Sequence, residues 1–157
     1  MAHMLRTWTE PRTAPWLQVV QHPSFQLLAS AALRRAAAGR GEACCEVSGA
    51  PQSLLQLHTV PAWRYDYTTA TVRLLGAVAV CAPVAAAKLL HMLPTPDERG
   101  AALELVAAVN GGWTVSELDA FVGFVNGRRY LLGAAGSSWA MDASLLDHAA
   151  AASTPPA

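Results

Sequence analysis

Three cysteines, Cys44, Cys45 and Cys81, and two histidines set among leucines, His58 and His91, are the side chains of this chain with the most adaptable chemistry. A thiol beside an imidazole can lose its proton and attack an electrophile, so Cys44 or Cys45 with His58 or His91 would make a nucleophilic pair if the fold brought them together. Nothing in their spacing does that locally. The cysteines are odd in number, two are adjacent, and none stands at zinc-ligand spacing with a histidine, which predicts neither a disulfide framework nor a metal site. The expected role is that of small buried hydrophobes in a reducing compartment. An imidazole between leucines, as in "LLQLHTVP" and "KLLHMLP", is expected to be a satisfied core or boundary residue. Asp97 and Glu98 are adjacent, so on a helix they do not converge on one substrate, and they read as helix-start charges.

The spacings that cradle phosphate, hold zinc or raise a nucleophilic serine are missing: there is no G-x-x-x-x-G-K-[ST], G-x-G-x-x-G, H-E-x-x-H or G-x-S-x-G. The sequence therefore predicts no enzyme, no catalytic residue and no cofactor.

Eleven basic residues balance eleven acidic ones, so no broad electropositive field invites nucleic acid. Only 14% of residues are charged, 53% are hydrophobic, and the mean hydropathy is +0.26. That is apolar enough to predict a greasy surface that meets a partner or lipid. The length fits one domain. Residues 1–15, with "LRTWTEPRTAP", read as a flexible arm or cloning remnant, residues 16–148 as one globular helical domain, and 149–157 as a disordered tail after a short helix around 141–148.

The elements that would position any site follow from punctuation and period. Pro23 opens a helix over about 23–38, in which Phe25, Leu28, Ala29, Ala32 and Ala36 recur at helical spacing before Gly39 and Gly41. "SLLQLHTV" is an apolar run that periodicity assigns to neither helix nor strand. Residues 68–93 are apolar on all sides except for Arg73, Lys88 and His91, which predicts a buried central helix kinked near Pro83. The fourteen uncharged residues between Arg73 and Lys88 fall short of the roughly 20 that cross a bilayer. A further helix is expected over 96–109, ended by Asn110-Gly111-Gly112. Thr114 and Glu117 have capping-box spacing, with Trp113 and Leu118 as a hydrophobic staple. The helix beyond buries Val115, Leu118, Phe121, Val122 and Val125, and Asn126-Gly127 ends it. The rival is a hairpin, "AFVGFV" and "RRYLL", turning at Asn126-Gly127.

Four segments in order resemble the Bcl-2 family of apoptosis regulators: "ALRRAAAGRGE" (32–42), "LLQLHTVP" (54–61), "ATV" (70–72) and "NGGWTVSELDAFV" (110–122). The family's Asn-Trp-Gly-Arg motif is not found, and only Arg73 stands in for its arginine. The resemblance implies an all-α bundle around a central hydrophobic helix, that of a diverged viral member in a host-virus setting. It also implies a groove that accepts an amphipathic helix of a pro-apoptotic partner through apolar side chains at i, i+3, i+4 and i+7. By position that groove is Leu54, Leu57, Trp63, Tyr65, Val72, Leu75 and Val78, with Arg73 as the charge partner. The implied location is cytoplasmic or at the mitochondrial outer membrane, with membrane association if a C-terminal anchor was removed. Two alternatives stand beside it. One is a winged-helix DNA-binding protein built on 97–109, 114–125 and Arg128 and Arg129. The other is an α+β partner-binding module with a C-terminal hairpin, such as a secretion chaperone or immunity protein.

Overall fold

A computed structural model describes residues 19–38, 42–66, 68–88, 93–134 and 140–153. The first helix, α1 (Phe25–Ala37), buries Phe25, Ala29 and Ala32, one face at i, i+4 and i+7, and packs that face on a β-hairpin. Two-residue strands β1 (Ala43–Cys44) and β2 (Pro51–Gln52) pair antiparallel. A single 3₁₀ turn, Leu54–Gln56, then leads into β3 (Leu57–Asp66), which pairs antiparallel with β4 (Thr71–Cys81). The hairpin turns at Asp66, whose Oδ1 accepts the Thr68 and Thr69 N–H groups at 2.9 and 3.2 Å. A third strand, β5 (Ala140–Asp142), joins the other edge of β4 in parallel, giving the order β3-β4-β5.

Register divides the hairpin into two faces. The pairs Leu57↔Cys81, Thr59↔Ala79, Pro61↔Ala77, Trp63↔Leu74 and Tyr65↔Val72 share one face, and all five β4 members of that set are buried. The opposite face carries His58↔Val80, Val60↔Val78, Ala62↔Gly76 and Arg64↔Arg73. It is buried at its Val60 and Val80 end and exposed at its two arginines. Leu75 is the extra residue of a bulge between these registers, beside Gly76 at φ +148°. The bulge turns Leu75 outward, where it is exposed.

Helices follow the sheet. Pro83 sits in the first turn of α2 (Ala82–Lys88), where a missing N–H costs nothing. Thr95 caps α3 (Pro96–Val109) in a reciprocal box with Glu98. That helix ends in a Schellman motif, with Gly112 N–H donating to Ala107 O at 2.8 Å and Gly111 N–H to Ala108 O at 3.3 Å. Gly111 takes φ +93°, open to a residue without a Cβ. The Thr114 box opens α4 (Val115–Ala134): Thr114 N–H and Oγ1 both donate to Glu117 Oε2 at 2.7 Å, and Glu117 N–H donates back at 3.3 Å. The last helix, α5 (Ser144–Ser153), returns against α1. The main core joins α1, both hairpin strands, Ala43, Cys45, Val84 and Leu146. A smaller cluster holds Ala87, Ala102, Val106 and Phe121, with Trp113 and Leu118 packed on it.

The all-α bundle is overturned, and so is the wholly helical domain over 16–148. The central apolar span is a strand to Cys81 and only then a short helix. An all-round apolar pattern suits a helix sheathed by neighbours and equally a strand buried on both faces, as β4 is from Ala77 to Cys81. β-branched Thr71, Val72, Val78 and Val80 and a partner strand that carries Thr59, Val60, Trp63 and Tyr65 favour the strand. The architecture is mixed α+β, but the C-terminal hairpin over 120–132 is also overturned. α4 runs unbroken through Asn126-Gly127 to Ala134, so that pair neither turns a hairpin nor ends the helix. Residues 140–142 are strand, and residues 149–153, expected as tail, continue α5. The arm over 1–15, Trp16, His91 and residues 154–157 lie outside the described residues. No described helix is long and apolar enough to cross a membrane.

Candidate functional sites: a leucine corner and a thiol pair

The eight residues assigned to a helix-binding groove do not line one surface. Leu57, Trp63, Tyr65 and Val72 lie on the inner face of the hairpin, while Arg73 and Val78 belong to the other face and Leu75 to the bulge. The helix around which the groove would be built is β4. Arg73 has an internal partner: its Nε donates to Asp142 Oδ2 at 2.7 Å, across the β4–β5 register pair. Only Leu54 stands off the hairpin, in the 3₁₀ turn.

That turn forms a leucine corner. Leu54 is 48% exposed and Leu55 98%. The turn presenting them is pinned from both sides. Ser53 N–H and Oγ donate to Gln56 Oε1 at 3.2 and 3.0 Å, and Gln56 N–H donates to Ser53 O at 3.0 Å. Beside Leu54 lies a shallow cleft of about 560 Å³ lined both by apolar residues, Ala37, Ala43, Pro51 and Leu54, and by polar ones, Glu42, Gln52, Ser53 and Gln56.

A second cluster gathers the cysteines. Cys45 and Cys81 are buried, Cys44 half-buried. Ser48 stands between the two buried sulfurs: its N–H lies 3.4 Å from Cys45 Sγ and its hydroxyl 3.9 Å from Cys81 Sγ. Burial pushes the Cys45 thiol up, but hydrogen bonds from the Ser48 hydroxyl and from the N–H groups of Ser48, Cys81 and Val47 outweigh it and hold the thiol below its ordinary value. The turn carrying these donors is closed by Cys45 N–H to Ala50 O and Gly49 N–H to Cys45 O, both at 2.9 Å. Among the described residues no hydrogen bond joins a histidine to a cysteine. His58 is exposed on the strand face opposite that of Cys81, so the fold does not bring these two together as a nucleophilic pair would require.

A third concavity, of about 480 Å³, brings His22, Asp142, Ser144 and Asp147 together with Val19, Met141 and Leu146. These are the residue types of a hydrolase, but Ser144, Asp142 and the His22 Nδ1 are committed to local structure. Ser144 Oγ donates to Asp142 Oδ1 at 2.7 Å at the start of α5, and His22 Nδ1 accepts the Ser24 N–H at 3.2 Å. No group of three or more His, Cys, Asp or Glu side chains among the described residues could hold a metal ion.

Sequence reasoning missed the residues that complete the sheet edges. Glu46 N–H donates to Ala79 O at 2.9 Å, and its carboxylate accepts the Ala79 N–H at 2.7 Å, so one residue does the work of a strand. Arg35 pairs with that carboxylate at 3.0 Å and donates to Ala77 O at 2.7 Å. On the opposite edge buried Lys88 donates to Pro61 O. A carboxylate or cation that satisfies backbone across tens of residues leaves no periodic trace. Neither a family model, nor a curated protein, nor a solved structure matches this chain.

Proposed function

We propose that this chain is an α+β partner-binding module whose docking surface is the Leu54–Leu55 corner, and that it receives an apolar segment of another protein. The observation that carries this reading is Leu55, 98% exposed on an ordered turn. A lone exposed leucine is ordinary. Two adjacent leucines on a turn pinned by its own capping box, next to a shallow cleft of mixed lining, are an anchor on a preorganised turn. The turn that carries them is held in place before binding, which lowers the ordering entropy that opposes docking, and Leu55 has roughly 2 kcal/mol of transfer free energy to gain, half-exposed Leu54 about half of that. Leu55 fits a pocket on the partner, while the cleft beside Leu54 takes a side chain in return. The apolar, neutral composition agrees with protein rather than nucleic acid as the partner.

The apoptosis assignment and its death-motif groove depended on an all-helical bundle, and the docking reading does not. Among the described residues no hairpin follows the helix pair α3 and α4, as the wing of the winged-helix alternative would.

The test is titration of the intact chain with labelled amphipathic helical and extended apolar peptides, death-motif helices among them, followed by repetition with Leu55→Asp. Micromolar binding weakened at least tenfold by L55D, with an unchanged circular dichroism spectrum, is the expected result; a tenfold loss is the signature of a residue that anchors the contact. Binding that L55D leaves intact, or none at all, overturns the corner as a docking site.

A further inference from the structure

We propose that Cys45 and Cys81 are a redox-active thiol pair that a hydroperoxide converts to an intramolecular disulfide, stapling the β1–β2 turn to the end of β4. The pair stands on placement. Ser48 bridges them, with its N–H 3.4 Å from Cys45 Sγ and its hydroxyl 3.9 Å from Cys81 Sγ. The segment carrying Cys45 lies along β4 through the Glu46–Ala79 contacts, which brings the two cysteines side by side although they are 36 positions apart in sequence. The proposal is independent of the leucine corner, and either can fail without the other.

The environment divides the roles. The Ser48 N–H, 3.4 Å from the Cys45 sulfur, favours its thiolate and makes Cys45 the attacking sulfur. Its thiolate displaces on the hydroperoxide: the S–O bond forms, the O–O bond breaks, and the departing alkoxide or hydroxide takes up a proton. This leaves Cys45 as the sulfenic acid. The Cys81 sulfur then attacks the Cys45 sulfur, and the S–O bond breaks. The hydroxyl leaves as water with the proton from Cys81. Two thiols and one hydroperoxide give one disulfide, one alcohol or water, and one water. The two electrons pass from the sulfurs to the peroxide.

Burial sets the pace. Cys45 is 1% exposed and Cys81 5%, so the reagent enters when the turn opens, and a sheet of two-residue strands is an element of low local stability. Half-buried Cys44 is the competing target.

The experiment treats the reduced full-length chain, and its Cys44→Ser variant, with hydrogen peroxide, alkylates the remaining thiols and maps the digest by mass spectrometry without reductant. A Cys45–Cys81 cross-linked peptide, lighter by two hydrogens, present in both proteins and reversed by dithiothreitol, is the expected product. Dimedone should trap the sulfenic acid on Cys45 in a Cys81→Ser variant. Ser48→Ala should slow formation of the cross-link several-fold while the reduced protein keeps its circular dichroism spectrum. A Cys44–Cys45 link, intermolecular dimers alone, or oxidation confined to Cys44 with Cys45 and Cys81 still free would each overturn the pair.

Discussion

Glu46 satisfies a strand edge that has no strand beside it among the described residues. Ala79 is fully buried, so deleting the Glu46 carboxylate leaves its N–H without a partner and without water. Glu46→Ala should cost about 1–3 kcal/mol by denaturant unfolding. Arg35→Ala should cost less, because the arginine side chain is more than half exposed and its pairing is screened by solvent. A double-mutant cycle between them checks the coupling through the shared carboxylate. At the start of α4 the same kind of group acts in water. Hydrogen bonds from Thr114 N–H and its hydroxyl hold the Glu117 carboxyl below its ordinary value. A group whose folded pKa is depressed contributes stability above its unfolded pKa and loses it as pH falls through the folded one. The cap should therefore hold at neutral pH and weaken only below the ordinary carboxylate range. Far-UV circular dichroism from pH 6 downward should show an acid-side loss of helix in the native chain that is smaller in Glu117→Gln, which lacks the titration.

The hairpin depends on a backbone that only glycine adopts easily. Gly76 holds φ +148° at the bulge, and a Cβ built there meets nothing within 4 Å. Gly76→Ala should destabilise by about 1 kcal/mol or more through the backbone alone, with no steric clash to relieve. A loss of that size unaltered by shrinking neighbouring side chains is the check. Removing the bulge would also shift the register of one half of β4, moving either Val72 and Leu74 or Ala77 and Ala79 off the buried face. The edges of this element are closed by different means. Since Ala77 and Ala79 turn their backbone groups away from β3, Pro61 and Thr59, their register partners, turn theirs outward. A proline in that place offers no N–H to a stray strand, and Lys88 occupies its carbonyl.

Over the whole molecule the core is uneven. Most buried residues belong to the cluster around α1 and the hairpin, whereas the described side chains of α4 join the small cluster, through Leu118 and Phe121, the latter's ring 5.3 Å from that of Trp113. Val115 and Phe124 of the same helix are exposed. Hydrogen exchange should therefore be slowest in β4 and faster in α4. Phe121→Ala should remove about 3 kcal/mol of packing from the small cluster and strip protection from α3 and α4. The amides of β4 should keep theirs. Equal loss in β4 would mean that the two clusters unfold as one.

Local chemistry alone determined several elements of this protein. Phe25, Ala29 and Ala32 set the face of α1, Pro96 and Asn110-Gly111-Gly112 bound α3, and Thr114 with Glu117 opens α4, because caps and helical periods act within a few residues of themselves. The middle of the chain was not decided that way. An apolar run such as 71–81 is compatible with a rod or a doubly covered strand, and only its pairing with 57–66 under α1 selects the strand. Asn126-Gly127 likewise has three local readings, as hairpin turn, helix end or helix interior, and the chain around it takes the third. Of the residues expected at a binding site, only Leu54 proved to be at an exposed corner. The cysteine cluster and the Arg35–Glu46 clamp depend on contacts tens of residues apart. Such contacts exist only once the tertiary structure has brought their backbone and side-chain groups out of water together.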